Sequence, residues 1–302
     1  MKAVVLPEYG GPELLQVRDV PEPKPGAGQI AIRVAAASLN PIDWKQRSGA
    51  LQKYIPLELP AILGRDASGT VVQLGAGVST FHVGDQVLGR PASAHAEVAV
   101  GKAEEFALIP AGLDLADAGA LPLVLLTGAQ LAEEAVNAQA GQKILVTGAL
   151  GAVGRVAVYT AKARGATVYA GVRRSQKPKA ADLGADAIVA LDDEAELTAL
   201  PELDAIADTV GGDVVQKLLD KMKSGGTIGT VLGKPEGAEA KGLKVVAIHT
   251  HGDPTRLAAL AKAVARGNLI IPIAARFPFS QAAAAHMLAE KGAGGKLLLT
   301  PS

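Results

Sequence analysis

One glycine-rich segment constrains the fold of this chain more than any other feature. Residues 148–154 read Gly-Ala-Leu-Gly-Ala-Val-Gly, and they stand between an apolar β-like run at 144–147 and a helical pattern over 155–164. A second β-like run follows at 166–171. A strand, a glycine turn, a helix and a second strand in this order predict a parallel βαβ unit.

The chain beyond this unit continues to alternate between β-like and helix-like segments. Further β-like runs lie at 187–191, 205–209, 227–232 and 244–248, with helix-like segments between several of them. The pattern predicts an α/β fold of the Rossmann type, a doubly wound parallel sheet with helices on both faces.

The first 110 residues have a different rhythm, with short β-like runs separated by glycine and proline. These runs lie at 2–6, 29–36, 69–74, 86–88 and 95–100. A helical segment over 123–138 connects this β-rich region to the alternating part. After a helix-like segment at 254–266, β-like runs at 270–273 and 296–299 flank a helical segment at 281–289. The 302 residues therefore predict two domains.

Composition and charge narrow the classes of function. Thirty basic and thirty acidic side chains cancel, so the sequence gives no support for nucleic acid as a partner and favours small-molecule chemistry. The absence of cysteine excludes disulfides, thiolate catalysis and cysteine-ligated zinc or iron–sulfur sites. The first residues have too short an apolar run for a signal peptide, and no apolar stretch predicts a membrane span. We expect a cytoplasmic protein.

The glycine turn predicts a dinucleotide site, because small residues let backbone amides and a helix N-terminus approach a pyrophosphate. Ala149 stands at the first position of the Gly-x-Gly-x-x-Gly pattern, while Gly151 and Gly154 hold the other two. A strand-to-helix turn with a purely structural role is the alternative. The predicted pyrophosphate contacts are Gly148, Gly151, Ala152, Val153 and Gly154.

The end of the second strand of this unit favours NADPH over NADH. NAD sites place an acidic residue there to bind the ribose hydroxyls, and that carboxylate would repel a 2′-phosphate. Residues 172–177 read Val-Arg-Arg-Ser-Gln-Lys and contain no acid. Arg173, Arg174, Ser175 and Lys177 are therefore predicted to bind the 2′-phosphate, with a solvated basic loop as the alternative.

Several ordered motifs together resemble the zinc-independent quinone oxidoreductases (zeta-crystallin-like) of the medium-chain dehydrogenase/reductase superfamily. Besides the cofactor turn, they lie at 38–43 (Ser-Leu-Asn-Pro-Ile-Asp), 64–69 (Gly-Arg-Asp-Ala-Ser-Gly), 83–87 (Val-Gly-Asp-Gln-Val), 126–129 (Leu-Thr-Gly-Ala), 208–212 (Asp-Thr-Val-Gly-Gly) and 295–297 (Gly-Lys-Leu). The resemblance implies a GroES-like β-rich catalytic domain over 1–122, completed by 269–302, and a Rossmann NADPH-binding domain over 123–268. It also implies an active site in the cleft between the domains and a homodimer or homotetramer.

The zinc-dependent relatives carry a cysteine, a histidine and usually an acid at the catalytic metal. Asn40 stands here at the cysteine position, Arg65 at the histidine position and Asp66 at the acidic position. We therefore predict that no metal is bound. Without a metal to polarise an alcohol, the reaction shifts towards reduction of a quinone or an activated C=C bond.

Four residues are candidates for the catalytic step. Asn40 is predicted to contact the nicotinamide ribose or the substrate, although asparagine before proline is also a common turn signal. Asp43 is predicted to orient that loop or to touch the ribose. Tyr54 is a candidate proton donor, with simple packing as the alternative. Thr127 is predicted to approach the nicotinamide, with a role at the start of a helix as the alternative.

The resemblance adds further cofactor contacts at strand ends and near the C-terminus. Asp208 and Val210 are expected in a cofactor-contacting turn, and Val231 and Leu232 are expected to line the nicotinamide pocket or to be core residues. The backbone of His249, Thr250 and His251 is expected to bind the carboxamide, since two histidines alone give little support for a metal. Lys296 is expected to contact a cofactor phosphate.

Three functions remain open at this stage. The first is an NADPH-dependent quinone reductase that uses hydride transfer. The second is an enoyl or alkenal reductase with the same cofactor and a C=C bond as its target. The third is a non-catalytic NADPH-binding sensor or structural protein.

Overall fold

A computed structural model describes residues 1–301, and it divides into two compact units. The first unit consists of Met1–Leu123 together with the chain from Gly252 onward, and the second is Val124–His251. The helix Pro254–Ala265 lies in the first unit, whereas the resemblance implied that the Rossmann domain extends to residue 268. Its buried side chains, Leu257, Leu260 and Ala261 among them, explain the difference, because this helix packs on the strand Phe106–Leu108 of the first unit.

The helices and strands have the following bounds. The strands are β1 (Lys2–Leu6), β2 (Gln16–Asp19), β3 (Gln29–Leu39), β4 (Ala61–Ile62), β5 (Ala67–Leu74), β6 (Gln86–Gly89), β7 (Val98–Lys102), β8 (Phe106–Leu108), β9 (Lys143–Thr147), β10 (Thr167–Val172), β11 (Ala187–Ala190), β12 (Leu203–Asp208), β13 (Met222–Thr230), β14 (Lys244–Ala247), β15 (Ile273–Pro278) and β16 (Lys296–Thr300). The α-helices are α1 (Pro41–Arg47), α2 (Pro122–Gln130), α3 (Ala152–Ala163), α4 (Glu194–Ala199), α5 (Gly212–Leu218), α6 (Pro254–Ala265) and α7 (Ala282–Lys291).

The second unit contains a parallel sheet in the strand order β11-β10-β9-β12-β13-β14. Side chains alternate between two cores along β9: Ile144 and Val146 join the cluster on one face, and Leu145 joins the cluster on the other. This confirms the predicted doubly wound sheet. The strand order reverses between β9 and β12, and dinucleotides bind beside such a reversal.

The first unit is built around the long strand β3. One sheet has the order β15-β16-β3-β5-β6-β8, with β7 also paired to β3, and a smaller sheet has the order β2-β1-β4. Strand β16 pairs antiparallel with β3, with Leu298 opposite Ser38, so the C-terminal segment completes the N-terminal region as the resemblance implied. The predicted GroES-like β-rich domain is confirmed.

Two local predictions differ from the structure. The helix predicted over 123–138 ends as an α-helix at Gln130 and continues as a π turn over Leu131–Ala135. The β-like run at 270–273 becomes a strand only from Ile273, since the preceding Pro272 has no N–H to donate to a ladder. Within residues 1–301, no helix has both the length and the apolar character needed to cross a membrane.

Candidate active site

The glycine turn of the second unit forms an open approach to the N-terminus of α3. Gly148 has a φ of 61°, a conformation that glycine adopts without strain, and the Gly151 N–H donates to Gly148 O at 2.8 Å. A Cβ on Gly154 would lie 2.2 Å from Gly148 O, so only glycine lets the helix pack this closely on the turn. The first N–H groups of a helix have no partner within it, and here they can bind an anion.

Asp208, at the end of β12, organises the neighbouring strand ends. Its carboxylate is fully buried and accepts from the hydroxyl of Thr147 at 2.7 Å, the hydroxyl of Thr230 at 3.0 Å, and the N–H groups of Val210 and Gly211 at 3.0 and 2.9 Å. Asp208 Oδ1 accepts three of these hydrogen bonds and Oδ2 accepts one, so the carboxylate shapes the turn, and its predicted contact with a cofactor stays a prediction.

A cavity of about 410 Å³ lies beside that turn, at the carboxyl ends of β12 and β13. The structure brings the predicted residues Val210 and Leu232 together in its lining. Val231 instead packs against the aliphatic core on one face of the sheet, because side chains alternate in direction at the strand end. The core alternative is therefore the better interpretation of Val231.

Thr127 and Thr250, both singled out by sequence, meet in the second unit with their hydroxyl oxygens 2.7 Å apart. The segment that carries Thr250 is held by Gln130, whose fully buried amide donates to His251 O at 2.9 Å and accepts from the His251 N–H at 3.1 Å. The His251 ring lies 3.0 Å from a Glu134 carboxylate oxygen, and His249 is exposed. Gln130 was missed by the sequence analysis, since a glutamine inside a helical pattern carries no distinctive signal.

The basic residues after β10 differ in their partners. Arg174 forms an ion pair with Asp193 at 2.8 Å, and Lys177 forms one with Glu196 at 2.7 Å. Arg173 is exposed, and within residues 1–301 its guanidinium has no ion-pair or hydrogen-bond partner. Ser175 is also exposed. Of the three predicted cations, Arg173 is therefore the most available to an anion.

The first unit contains a buried polar network around Asn40. The Asn40 amide donates to Asp66 Oδ2 at 3.0 Å and to Ser38 Oγ at 3.2 Å, and its Oδ1 accepts from the Lys296 ammonium at 2.6 Å. Lys296 also donates to Leu39 O at 3.3 Å. The Asn40 side chain is thus committed to protein partners and is 1% exposed, which leaves one lone pair of Oδ1 for any ligand.

Asp43 lies in the same network at the start of α1. Its Oδ2 accepts from the Asn40 N–H at 2.7 Å, which fixes the entry into the helix. Its Oδ1 is buried without a hydrogen-bond partner in the described chain. Burial raises the pKa of Asp43 to about 7, and the Asp66 carboxylate acts in the same direction.

Lys296 and Tyr54 were also candidates from the sequence, and the structure places the first in the interior and the second on the surface. Lys296 is 5% exposed, and its ammonium is directed at Leu39 O and Asn40 Oδ1 with Asp66 Oδ2 at 3.8 Å. Burial lowers its pKa, against the opposing effect of Asp66 and Asp43. The ammonium is thus held within the buried network, and its predicted contact with a cofactor phosphate stays a prediction. Tyr54 is 81% exposed on a turn, and no described residue hydrogen-bonds its hydroxyl.

Comparison with known proteins agrees with this architecture. Residues 26–161 match the alcohol dehydrogenase GroES-like domain, and residues 183–299 match the zinc-binding dehydrogenase family. A quinone oxidoreductase from Pseudomonas aeruginosa is 32% identical over 99% of both chains. The chain belongs to the quinone oxidoreductases of the medium-chain dehydrogenase/reductase superfamily.

Two more relatives extend the comparison within this superfamily. The structure of the quinone oxidoreductase from Coxiella burnetii has a TM-score of 0.89 and 30% identity, covering 100% of this chain and 99% of its own. The NADPH-dependent alkenal/one oxidoreductase of Arabidopsis thaliana chloroplasts is 30% identical over 100% of this chain and 80% of its own. The protein is an oxidoreductase enzyme that belongs to a family binding a nicotinamide cofactor, so the non-catalytic alternative is set aside.

The residues of this chain do not fit a catalytic zinc. At the positions of the zinc ligands it has Asn40, Arg65 and Asp66, and the ammonium of Lys296 lies against two of them. Nowhere in residues 1–301 do three or more metal-binding side chains form a cluster. A positive ammonium beside an amide and a single carboxylate is a poor donor set for a divalent cation.

Proposed function

We propose that this oxidoreductase is an NADPH-dependent, zinc-independent reductase that transfers a hydride to quinones. The observation that carries the choice of cofactor is the end of β10, where no carboxylate follows the strand and the exposed Arg173 guanidinium has no partner within residues 1–301. A 2′-phosphate is the group on NADPH that such a cation binds. The Arabidopsis thaliana relative is an NADPH-dependent oxidoreductase, which supports the same choice.

The second unit offers a cradle that fits a dinucleotide. Gly148, Gly151 and Gly154, with the amides of Ala152 and Val153, would hold the pyrophosphate, since a Cβ on Gly154 would fill the space that the turn needs. Arg173 and Ser175 would hold the 2′-phosphate. Asp208 would act through the turn that it shapes.

When bound, the reduced nicotinamide supplies a hydride to the acceptor. The protein places the two reactants, and the glycine turn keeps side chains away from the space that the cofactor occupies. Thr127 and Thr250, with hydroxyl oxygens 2.7 Å apart, would present hydroxyls and backbone to the nicotinamide end. The apolar Val210 and Leu232 line the cavity at the carboxyl ends of β12 and β13. Asn40 and Asp43 would keep the start of α1 in a fixed position.

The quinone part of the proposal rests on the relatives from Pseudomonas aeruginosa and Coxiella burnetii, both named as quinone oxidoreductases. The donor set at Asn40, Arg65 and Asp66 supports it, because alcohol–carbonyl exchange in the zinc relatives depends on a metal that these residues would not hold. The second candidate is reduction of an activated C=C bond, which the alkenal/one oxidoreductase relative favours. Both candidates need a hydride and a proton.

The test compares oxidation of NADPH and NADH with a 1,4-quinone and with an α,β-unsaturated ketone as acceptors. We expect kcat/KM to be higher with NADPH than with NADH and higher with the quinone than with the ketone. A higher value with the ketone would select the second candidate, and equal use of NADH would reject the assignment of the 2′-phosphate site. Elemental analysis of the purified enzyme completes the test, since stoichiometric zinc required for activity would contradict zinc independence.

A further inference from the structure

The buried face of α1 is polar, which is unusual for a short helix packed in a protein interior. Its three buried residues are Asp43, Gln46 and Arg47. Four of their polar atoms, Asp43 Oδ1, Gln46 Nε2, Arg47 Nε and Arg47 Nη1, are buried without a hydrogen-bond partner among residues 1–301. Asp43 and Arg47 are four residues apart, so they lie on the same side of the helix.

Helix α7, which packs against α1, brings a buried histidine to this face. His286 is 0% exposed, and neither ring nitrogen has a partner in the part of the chain that the structure describes. Its ring lies edge-on to that of His95, with the ring centroids 6.2 Å apart. His95 is also 0% exposed; its Nε2 lies 3.4 Å from Ser38 O, and its Nδ1 is unpartnered within residues 1–301.

These groups form a continuous series from the surface to the buried network of the first unit. At the outer end, Arg47 Nη2 pairs at 2.6 Å with Glu290, a residue of α7 that is 37% exposed. The series continues through His286 and His95 to Ser38, whose hydroxyl donates to Asp66 at 2.7 Å. Along α1 it continues to Asp43, which accepts from the Asn40 N–H.

Seven unpartnered polar atoms in one region are too many for a dry interior, because buried polar groups are almost always hydrogen-bonded to protein or to ordered water. The charges decide between water and an anion. Glu290 balances Arg47, Asp66 balances Lys296, and burial together with the neighbouring Arg47 and His95 lowers the pKa of His286 to about 3, which keeps it neutral. Between α1 and α7, Arg47 is paired with Glu290 and both histidines are neutral, so no net positive charge remains there to hold an anion, and water is the occupant that fits.

We propose that Asp43, Gln46, Arg47, His95 and His286 line a hydrated path that delivers a proton from the surface at Glu290 to the network around Asn40. The inference rests on the proposed function, since a reductase of this kind consumes a proton from solvent. The acceptor gains a hydride, with its electron pair, from the nicotinamide, which becomes oxidised. The negative charge left on the carbonyl oxygen of the acceptor then takes up the proton that the path supplies.

The first experiment tests hydration without any turnover. In protein labelled with ¹⁵N-histidine, we expect the ring N–H protons of His95 and His286 to exchange with solvent at once after dilution into D₂O. The backbone amide of the buried Leu298, on a strand paired on both sides with β15 and β3, serves as the internal control and should exchange slowly. Ring protons that stay protected as long as the Leu298 amide would show a dry interior and overturn the proposal.

The second experiment tests whether the path is used. His286→Leu should lower kcat by about tenfold or more and raise the solvent isotope effect on kcat, because proton delivery becomes slower than hydride transfer. Binding of NADPH, followed by its fluorescence, should not change. His286→Asn keeps a hydrogen-bonding group for water and should restore most of the rate. Met287→Leu, an exposed neighbour on the same helix, is the matched control.

The outcomes separate this proposal from the proposed function. Wild-type kcat and isotope effect in His286→Leu would overturn the proposal, and so would an asparagine variant as slow as the leucine variant, since a packing defect would then explain both. An enzyme that reduces no quinone and no enone would reject the proposed function, and the exchange of the ring protons would still decide whether the path exists.

Discussion

At the scale of single residues, ion pairing decides which basic side chains can still bind a ligand. Arg173, Arg174 and Lys177 are equivalent in sequence, as cations after the same strand. In the structure, Arg174 and Lys177 are held by Asp193 and Glu196, and Arg173 is exposed without a partner in the described chain. The proposed phosphate contact therefore falls mainly on one arginine.

The first prediction concerns that arginine. Arg173→Ala should raise the Kd for NADPH by about tenfold or more, since a hydrogen bond to a charged group contributes about 1.5–3 kcal/mol. The Kd for NADH should stay the same, because NADH lacks the 2′-phosphate. Titration of both cofactors by fluorescence measures the effect. Arg174→Ala is the matched control, and a larger loss in that variant would show that the Asp193 pair opens on binding.

The second prediction concerns Asp208, whose carboxylate accepts four hydrogen bonds from three strand ends. Asp208→Asn replaces one acceptor by an NH₂ group that faces other donors, and we expect a loss of about 2 kcal/mol in the free energy of unfolding. Urea unfolding measures it. Affinity for the dinucleotide should fall as well, because Val210 and Gly211 lose the acceptor that fixes their turn. Wild-type stability in this variant would contradict the role assigned to Asp208.

At the scale of elements, the glycine turn and α3 act as one unit, and two of its glycines have separable roles. A Cβ on Gly154 would lie 2.2 Å from Gly148 O and 2.8 Å from Ala149 Cα, both backbone atoms that cannot move aside. A Cβ on Gly151 would have Gly148 O at 3.1 Å as its near neighbour. Close packing requires the glycine at position 154, and ligand access requires the glycine at position 151.

The third prediction follows from this difference. Gly154→Ala should lower the free energy of unfolding by about 1–3 kcal/mol through overpacking and should weaken dinucleotide binding. Gly151→Ala should leave stability within about 1 kcal/mol of the wild type and still weaken binding, because the methyl group stands at the open N-terminus of α3. Thermal unfolding and cofactor titration of the two variants separate the effects. Unchanged cofactor affinity in both would show that the turn is purely structural.

At the scale of the whole molecule, buried titratable groups of the first unit set the pH dependence of stability. Burial lowers the pKa of His95 to about 4 and that of His286 to about 3, so both stay neutral in the folded state when the unfolded chain takes up protons below pH 6.5. Burial raises the pKa of Asp43 to about 7, so its stabilising contribution is lost as pH rises from 3.8 to 7. Lowering the pH therefore destabilises the folded state through the two histidines and stabilises it through Asp43.

The fourth prediction is the change of stability with pH that results from these three groups together. Between pH 6.5 and 4, the unfolded chain binds two more protons at the histidines and the folded chain binds one more at Asp43, so stability should fall by about 1.4 kcal/mol for each unit that the pH is lowered. In His286→Leu the remaining contributions cancel, and stability should be nearly independent of pH over the same range. Urea unfolding at several pH values measures both slopes. A slope in His286→Leu equal to that of the wild type would contradict the prediction.

Sequence by itself determined the features that depend on local pattern. The glycine turn at 148–154 and the alternation that follows it predicted the doubly wound sheet and a dinucleotide cofactor, because backbone geometry and side-chain periodicity act over a few residues. The ordered motifs led to the family and to the pairing of β16 with β3. The surroundings of single side chains followed less directly from the sequence: Val231 packs against a core, and the Lys296 ammonium is buried against Asn40.

Tertiary structure alone decided which polar groups face one another. Lys296 and Asn40 are far apart in sequence, and nothing local indicates that a buried ammonium would lie against that amide. In the same way His286 and His95, isolated in the sequence, come together only when α7 packs on the first unit. Burial and pairing are properties of the packed chain, and they set both the pKa of a group and its freedom to bind a ligand.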